Sequence, residues 1–336
     1  MLTYKKNTPA EKEPLSVSYK GYDKNDFCMG TVINQRLYGT EAKQAAYEAI
    51  CEIKRLESLM SFFMEESDIA KINSKAGISD VQISSETLEV IEKSIIFSEV
   101  SSGSFDVTVA PVVKCWGITS PDQKIPLRKE LEPLIKLIDY RCIKTDKGKC
   151  KVHLEKKGQM LDLGGIAKGY AADKVIEIYR KNSISSAFVN LGGNVMVLGT
   201  KQDGSYWNVG IQNPRATLND IIGYLSLKDK TVVTSGDYQR YFTVDGVRYH
   251  HIIDPKTGFP ANSGIISATI VTDCSINADA LSTAVFILGL DKGLRMLSRF
   301  ENTNAVLITE DGTVYVTNGL KNSFFLTDVN RKLEYI

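Results

Sequence analysis

The chain has 336 residues, 43% hydrophobic and 24% charged, with a formal net charge of +1. That is ordinary globular composition for one large or two average domains, and it excludes the basic field that a nucleic-acid binder carries. No run of about 18 apolar residues is present, so no membrane-spanning helix is expected.

Residues 1–26, MLTYKKNTPAEKEPLSVSYKGYDKND, are polar and lysine-rich. They read as a flexible leader ahead of a domain spanning 27–336. With no apolar signal core visible, either the chain is cytoplasmic or a targeting segment has been removed. From FCMGTVINQRLYG the residues alternate, which predicts a strand of about eight residues. GTEAKQAAYEAICEIKRLESLMSFF places Ala46, Ile50, Ile53, Leu56 and Met60 at helical spacing, with Thr40 a plausible N-cap. A second helix runs through SSETLEVIEKSIIFSEVSSG, opened by Ser85 and closed near Gly103. YRCIKTDKGKCKVHLEKKGQMLDLGG reads as strands joined by a Lys-Gly turn, across which Cys142 and Cys150 could pair. A third helix starts at GGIAKGYAADKV, and strand-like segments follow from AFVNLGGNVMVLG to SGIISATIVT. The helices NADALSTAVFILG and DKGLRMLSRF come next, then the short strands NAVLITE and TVYVTNG. The expected class is α+β, a mainly antiparallel sheet with helices packed on it.

Four stretches put polar residues in apolar company. In LDLGGIAKGYAADKV a strand is expected to end at Asp162, and two glycines precede a helix with Lys168 in its first turn. Free N–H groups, the helix dipole and the lysine suit a phosphate or pyrophosphate, although a Gly-Gly turn alone has the same look. In SGSFDVTVAPVVKCWGI, Phe105 and Asp106 either cap a loop or wall a ring-bearing ligand. In TSGDYQRYFTVDGVRYHHIIDPKTGFP, His250 and His251 point to opposite faces of a strand, and His251 comes close to Asp254, which may equally cap the turn before Pro255. In NADALSTAVFILG, Asn277 can N-cap the helix with Asp279 in the first turn. Capping leaves Thr283, one turn on from Asp279, unexplained; a hard cation would use both oxygens.

Taken in order, MGT (29–31), MSFFMEESDIAKIN (60–73), GSFDVTVAPVVKCWGI (103–118), LDLGGIAKGYAAD (161–173), FVNLGGN (188–194), TSGDYQRYF (234–242), HHIIDPKTGFP (250–260) and ADALSTAVFILG (278–289) resemble the FAD:protein FMN transferase family, the ApbE-type flavin transferases. The resemblance implies that family's α+β, T-fold-like architecture. It implies Mg²⁺-dependent transfer of the FMN half of FAD to a Ser or Thr hydroxyl of an acceptor protein, in an Asp-Gly-x-Ser/Thr-Gly-Ala-type context, with release of AMP. It places the metal on the carbonyl of Ala167 and the side chains of Asp279 and Thr283. It places the flavin nucleotide against Met29, Ser104, Phe105, Asp106, Asp162, Lys168, His251 and Ile252. Asn73 stands at an adenine-side position, and Phe63 stands where the family often has Tyr, keeping ring stacking without a hydroxyl. Catalytic roles fall on His251, Asp279 and Lys168, with Asp237 and Asp254 as rival bases. An Mg²⁺-dependent FAD pyrophosphatase and a non-enzymatic flavin-binding protein are the alternative readings. Many members are periplasmic or lipid-anchored, so an extracytoplasmic location with an anchor outside this sequence is expected; no lipobox is visible.

Overall fold

Polar residues that compositional reading assigns to the leader already form a strand. In the computed structural model, which describes residues 20–118, 120–216 and 220–336, β1 (Tyr22–Cys28) pairs antiparallel with β2 (Thr31–Tyr38). Residues 22–26 therefore belong to the domain, while residues 1–19 lie outside the described residues. The single strand expected through FCMGTVINQRLYG is split by a two-residue turn. Met29 (φ 52°) and Gly30 (φ 66°) both occupy the left-handed region, as a type I′ hairpin turn requires.

α1 (Ala42–Met60) buries a stripe from Ala42 through Ile53 to Met60, the helical spacing legible in its sequence. Its N-cap is Glu41 and not Thr40, and no side chain caps it. α2 (Asp68–Ser74) is capped by the Ser67 hydroxyl, which accepts the Ala70 N–H. After β3 (Val81–Gln82), α3 (Ser85–Val100) is capped by Ser84, one residue ahead of the serine expected to open it. α4 (Ala110–Trp116) and α5 (Arg128–Ile135) follow, then the hairpin of β4 (Ile143–Asp146) and β5 (Lys151–Leu154). Cys142 and Cys150 are both free thiols: the hairpin register sets the backbone of Cys142 against Glu155 and that of Cys150 against Ile83. Of the six cysteines only Cys28 is buried.

The second half comprises α6 (Ala167–Lys181), β6 (Ser186–Leu191), β7 (Asn194–Leu198), β8 (Trp207–Gln212), β9 (Ile221–Leu227), β10 (Lys230–Gly236), β11 (Tyr241–Val244), β12 (Val247–His250), β13 (Ile265–Thr272), α7 (Ser275–Leu288), α8 (Leu290–Leu297), β14 (Asn304–Thr309), β15 (Val314–Val316), β16 (Phe324–Leu326) and β17 (Leu333–Tyr335). Nine strands form the main sheet in the order β1-β2-β6-β7-β10-β13-β14-β15-β17, antiparallel except for β15 with β17. The expected α+β class with a mainly antiparallel sheet is what forms. No helix among the described residues is long and apolar enough to cross a membrane.

Strand alternation divides the core. On β14, Ala305 and Leu307 face the helices while Val306 and Ile308 face the opposite layer. α1, α6 and α7 cover the first face, and the small sheet β16-β9-β8 covers the second through Trp207, Leu225 and Phe324. All eight residues of β13 are buried, because β13 is central and covered on both sides. A satellite core around Trp116 joins α4 and α5 to the β11–β12 hairpin.

Candidate active site

Three tight turns meet at one end of the main sheet. The Met29–Gly30 turn is pinned from α1: Glu57 accepts the Met29 N–H at 2.7 Å and the Cys28 Sγ–H at 2.8 Å. Beside it, the β6–β7 turn carries Gly192 (φ 60°), where a Cβ would lie 2.0 Å from Thr31 Oγ1. The segment after β10 closes the group, with Arg240 donating to the Gly30 carbonyl at 3.4 Å. Main-chain approach this close explains the GGN and MG pairs physically.

Against these turns lie the N-terminus of α6 and the middle of α7. The two helices cross so closely that a Cβ at Gly169 would sit 2.3 Å from the Ser275 carbonyl. Each caps the other. Asp279 Oδ2 on α7 accepts the Gly169 N–H in the first turn of α6 at 2.8 Å. Asp173 on α6 accepts the Ser275 and Ile276 N–H groups at the start of α7, at 2.8 and 2.9 Å. The expected N-cap of α7, Asn277, is therefore corrected: the helix starts at Ser275, so Asp279 lies in its second turn. Dipole and capping within α7 do not account for this carboxylate.

Asp279 Oδ1 faces the Lys168 ammonium at 3.8 Å, outside hydrogen-bonding range. Lys168 Nζ itself donates to the Gly164 carbonyl at 2.8 Å. The backbone N–H of Lys168 has no acceptor among the described residues, so the α6 terminus presents a free donor. Thr283 Oγ1 lies 3.3 Å from Ser235 Oγ of β10, which in turn bonds Ser282 Oγ at 2.8 Å. A Cβ at Gly165 would come within 3.3 Å of the Phe105 ring and 3.7 Å of Thr283 Oγ1. The glycine thus keeps a cradle open between ring and hydroxyl. Ala167, Asp279 and Thr283 offer only oxygen donors, the chemistry a hard divalent cation takes. No three His, Cys, Asp or Glu side chains gather as a metal cluster among the described residues, so a magnesium ion here would complete its shell with substrate phosphate and water.

Other site residues are tied down differently. The strand expected to end at Asp162 is irregular chain instead, because Asn73 supplies the pairing: its amide accepts the Leu161 N–H and donates to the Leu161 carbonyl. The second N–H of the Asn73 amide is not used by these two bonds. Asp106 caps a 3-10 turn, taking Thr108 N–H and Oγ1–H and the Tyr140 N–H. Phe105 is buried beneath Gly165 and not exposed as a wall, and Ser104 is buried too. Phe63 is the opposite case: 83% exposed, edge-on to Phe62, it is a ring with nothing yet on its face.

Of the candidate bases, Asp237 is clamped by Arg215 at 2.7 and 2.8 Å with Arg248 at 3.3 Å. Asp254 caps its own turn through Lys256 N–H. His250 is buried, its Nδ1 accepting the Ile252 N–H, so Nε2 carries the proton given to the Ala261 carbonyl. His251 Nδ1 donates to the Arg240 carbonyl at 3.2 Å, which leaves the Nε2 lone pair available. Burial first, and then the Arg240 guanidinium, push the His251 imidazolium down to about 3. Asp162 shifts the other way: burial raises it, against the Gly164 N–H and the charges of Lys168 and Arg240. Lys168 and Arg240 are thus two cations close to Asp162, and Lys168 also faces Asp279.

Comparison with known proteins decides the family. The ApbE family model matches residues 29–308. The chain belongs to the ApbE family. Its relatives include an FAD:protein FMN transferase of Treponema pallidum, 34% identical over 330 residues, covering 93% of this chain and 91% of the relative. Another, from Klebsiella pneumoniae, is 33% identical and covers 88% and 92%. The ApbE protein of Thermotoga maritima superposes with a TM-score of 0.83 at 35% identity, covering 90% of this chain and 99% of that one. The flavin transferase ApbE of Vibrio cholerae superposes at 0.81 and 25% identity, covering 91% and 99%. Within this ApbE fold, sequence reading missed Arg240, Ser235 and Asp173 as site residues. All three stand inside quoted motifs, but Ser235 meets Ser282 and Thr283, Asp173 meets Ser275 and Ile276, and Arg240 meets Gly30, each more than 40 residues away in the chain.

Proposed function

We infer that this ApbE-family chain is an Mg²⁺-dependent FAD:protein FMN transferase that joins the FMN phosphate of FAD to a Ser or Thr hydroxyl and releases AMP. The observation that carries the reading is that Asp279 Oδ1, facing the Lys168 ammonium at 3.8 Å, and Thr283 Oγ1, beside Gly165, come together at the N-terminus of α6, where the Lys168 N–H is uncapped. Oxygen donors and an anion seat converge there, as a metal-bound pyrophosphate requires.

Ala167, Asp279 and Thr283 would hold the magnesium ion, which supplies charge neutralisation on the pyrophosphate and its AMP leaving group. The remaining work is done by the chain. Lys168 and Arg240 bind the pyrophosphate, and the α6 N–H orients one of its oxygens. The Phe63 face stacks a ring of the dinucleotide, and the Met29 and Ile252 edges bound the cleft. His251 Nε2 takes the proton of the attacking hydroxyl; its tautomer is set by the Arg240 carbonyl, and the anionic substrate offsets the cations that depress it. The hydroxyl oxygen bonds to the FMN phosphorus as the bond from that phosphorus to the AMP-side oxygen breaks.

The test is to incubate the chain with FAD, Mg²⁺ and a protein carrying an Asp-Gly-x-Ser/Thr-Gly-Ala segment, then weigh the acceptor. A gain of FMN less water supports transfer. Free FMN beside an unmodified acceptor makes the chain a pyrophosphatase, and unconsumed FAD makes it a flavin binder. We also propose an extracytoplasmic location with lipid anchoring, supported by the family resemblance alone; recovery of the native protein in the cytosolic fraction would overturn it.

A further inference from the structure

Four surface cations stand apart from the site and from every ion pair. Lys256, Lys292, Arg295 and Arg299 line one groove of about 270 Å³ floored by Leu288 and Met296. What sets them apart is that they line one concavity together, whereas cations such as Arg36 and Lys124 pair singly with Asp23 and Glu130. None of these four takes part in an ion pair among the described residues. The acids nearest to them in sequence, Asp254, Asp291 and Glu301, form no ion pair with them; the Asp254 carboxylate accepts only the Lys256 backbone N–H. Lys292, Arg295 and Arg299 recur at i, i+3 and i+7, so they form a single stripe along α8 and its continuation. Lys256 faces them from the turn after His251. Like charges brought together around a concavity repel one another and create a local positive potential that an anionic partner relieves.

The groove also adjoins the candidate active site. Leu288 ends α7 five residues beyond Thr283, about 8 Å along the helix axis. The Ser101 hydroxyl, which also lines the groove, accepts the Phe105 N–H at 3.0 Å, and the Phe105 ring underlies Gly165. Lys256 belongs to the Asp254 turn, held by the Asp254 carboxylate at 2.9 Å.

We propose that this groove docks an acidic segment of the acceptor protein and so presents its hydroxyl to the FMN phosphorus; the proposal rests on the transferase reading above. A chain segment fits the arrangement better than a membrane does, because the cations line a concave groove, with Lys256 coming from a different segment than the α8 stripe, and not a flat face.

The test uses two fluorescent synthetic peptides with the same Asp-Gly-x-Ser/Thr-Gly-Ala core, one flanked by Asp and Glu, the other by Ser and Gln. Their binding to the full chain is read by anisotropy at low and high salt. The acidic peptide should bind about tenfold tighter at low salt, and added salt should erase the difference. The K292E/R295E/R299E variant should lose that preference while keeping its affinity for FAD, which also verifies its folding. Equal binding of the two peptides, binding of neither, or a preference that survives the triple variant overturns the proposal. So does cation-dependent retention on phosphatidylserine vesicles by a chain that treats the peptides alike. If the acidic peptide docks through the groove but no FMN reaches any hydroxyl, the docking surface stands and the transfer reaction is what fails.

Discussion

Asp279 Oδ2 accepts the backbone N–H of Gly169 at 2.8 Å, across two helices whose sequences lie more than a hundred residues apart. One carboxylate oxygen thus holds the fold while the other, Oδ1, faces the site. The two duties separate on substitution. Asp279→Asn keeps an oxygen for Gly169, so stability should stay within about 1 kcal/mol of the parent. Mg²⁺-dependent FAD turnover should fall about a hundredfold or more. Denaturant titration and AMP release measured on the same preparation check both halves. Full activity in Asp279→Asn would sink the metal assignment.

Gly169→Ala should act on the fold before the chemistry. The new methyl would meet the Ser275 carbonyl at 2.3 Å, where helix backbone leaves no flexible atom to yield. A loss of about 1–3 kcal/mol in unfolding free energy is expected. A thermal midpoint equal to that of the parent would show that the helices pack more loosely than described.

Met29 holds φ at 52° because Glu57 fixes the turn from α1. Met29→Gly removes the left-handed strain, worth about 1 kcal/mol, but gives back part of it in unfolded-chain entropy. Stability should change by under about 1 kcal/mol, while the KM for FAD rises because the side chain bounding the cleft is gone. An unchanged KM would remove Met29 from the binding surface.

The Phe63 ring stands edge-on to Phe62 and is 83% exposed. Phe63→Ala should leave the melting temperature unaltered and raise the KM for FAD about three- to tenfold, the value of one ring stack. Steady-state kinetics beside a melt are sufficient. A melting temperature that drops with no change in KM would make the ring structural.

The pH response of stability follows from His251. Its folded pKa lies near 3, below the ordinary histidine value. Above about pH 6.5 both folded and unfolded imidazoles are neutral, so the group contributes no pH slope. Between about 6.5 and 3 the unfolded chain takes the proton and the folded one does not, so stability is lost as pH falls. His250, also pushed down by burial, adds to the same slope. The buried carboxyls of Asp106, Asp162 and Asp173, all raised by burial, act in the opposite sense. His251→Gln should therefore melt with a shallower pH dependence from 6.5 to 4 than the parent; parallel curves would contradict the depressed imidazole.

The sequence was most readable where periodicity carried the structure. The Ile50–Ile53–Leu56 stripe of α1 and the alternation of β14 emerge as expected, because burying one face leaves a regular pattern. The hairpin at Met29 was missed because a Met at positive φ carries no local signal; Glu57, 28 residues on, imposes it. Asn277 looked like a cap by residue type, yet the N–H groups at the start of α7 are taken by Asp173 from α6. Asn73 and Asp106 also carry a structural duty that their motifs do not announce, since their side chains pair backbone groups of Leu161 and Tyr140 that come from distant parts of the chain. Arg240 escaped notice since its neighbours, Gly30 and His251, come from different turns.

The reciprocal caps also fix when the active centre can exist. α6 emerges from the ribosome with no side chain of its own to close its first turn, and the carboxylate that does so is made more than a hundred residues later. A nascent chain that has synthesised the Gly-Gly turn and Lys168 but not Asp279 holds neither the finished helix terminus nor the oxygen donors.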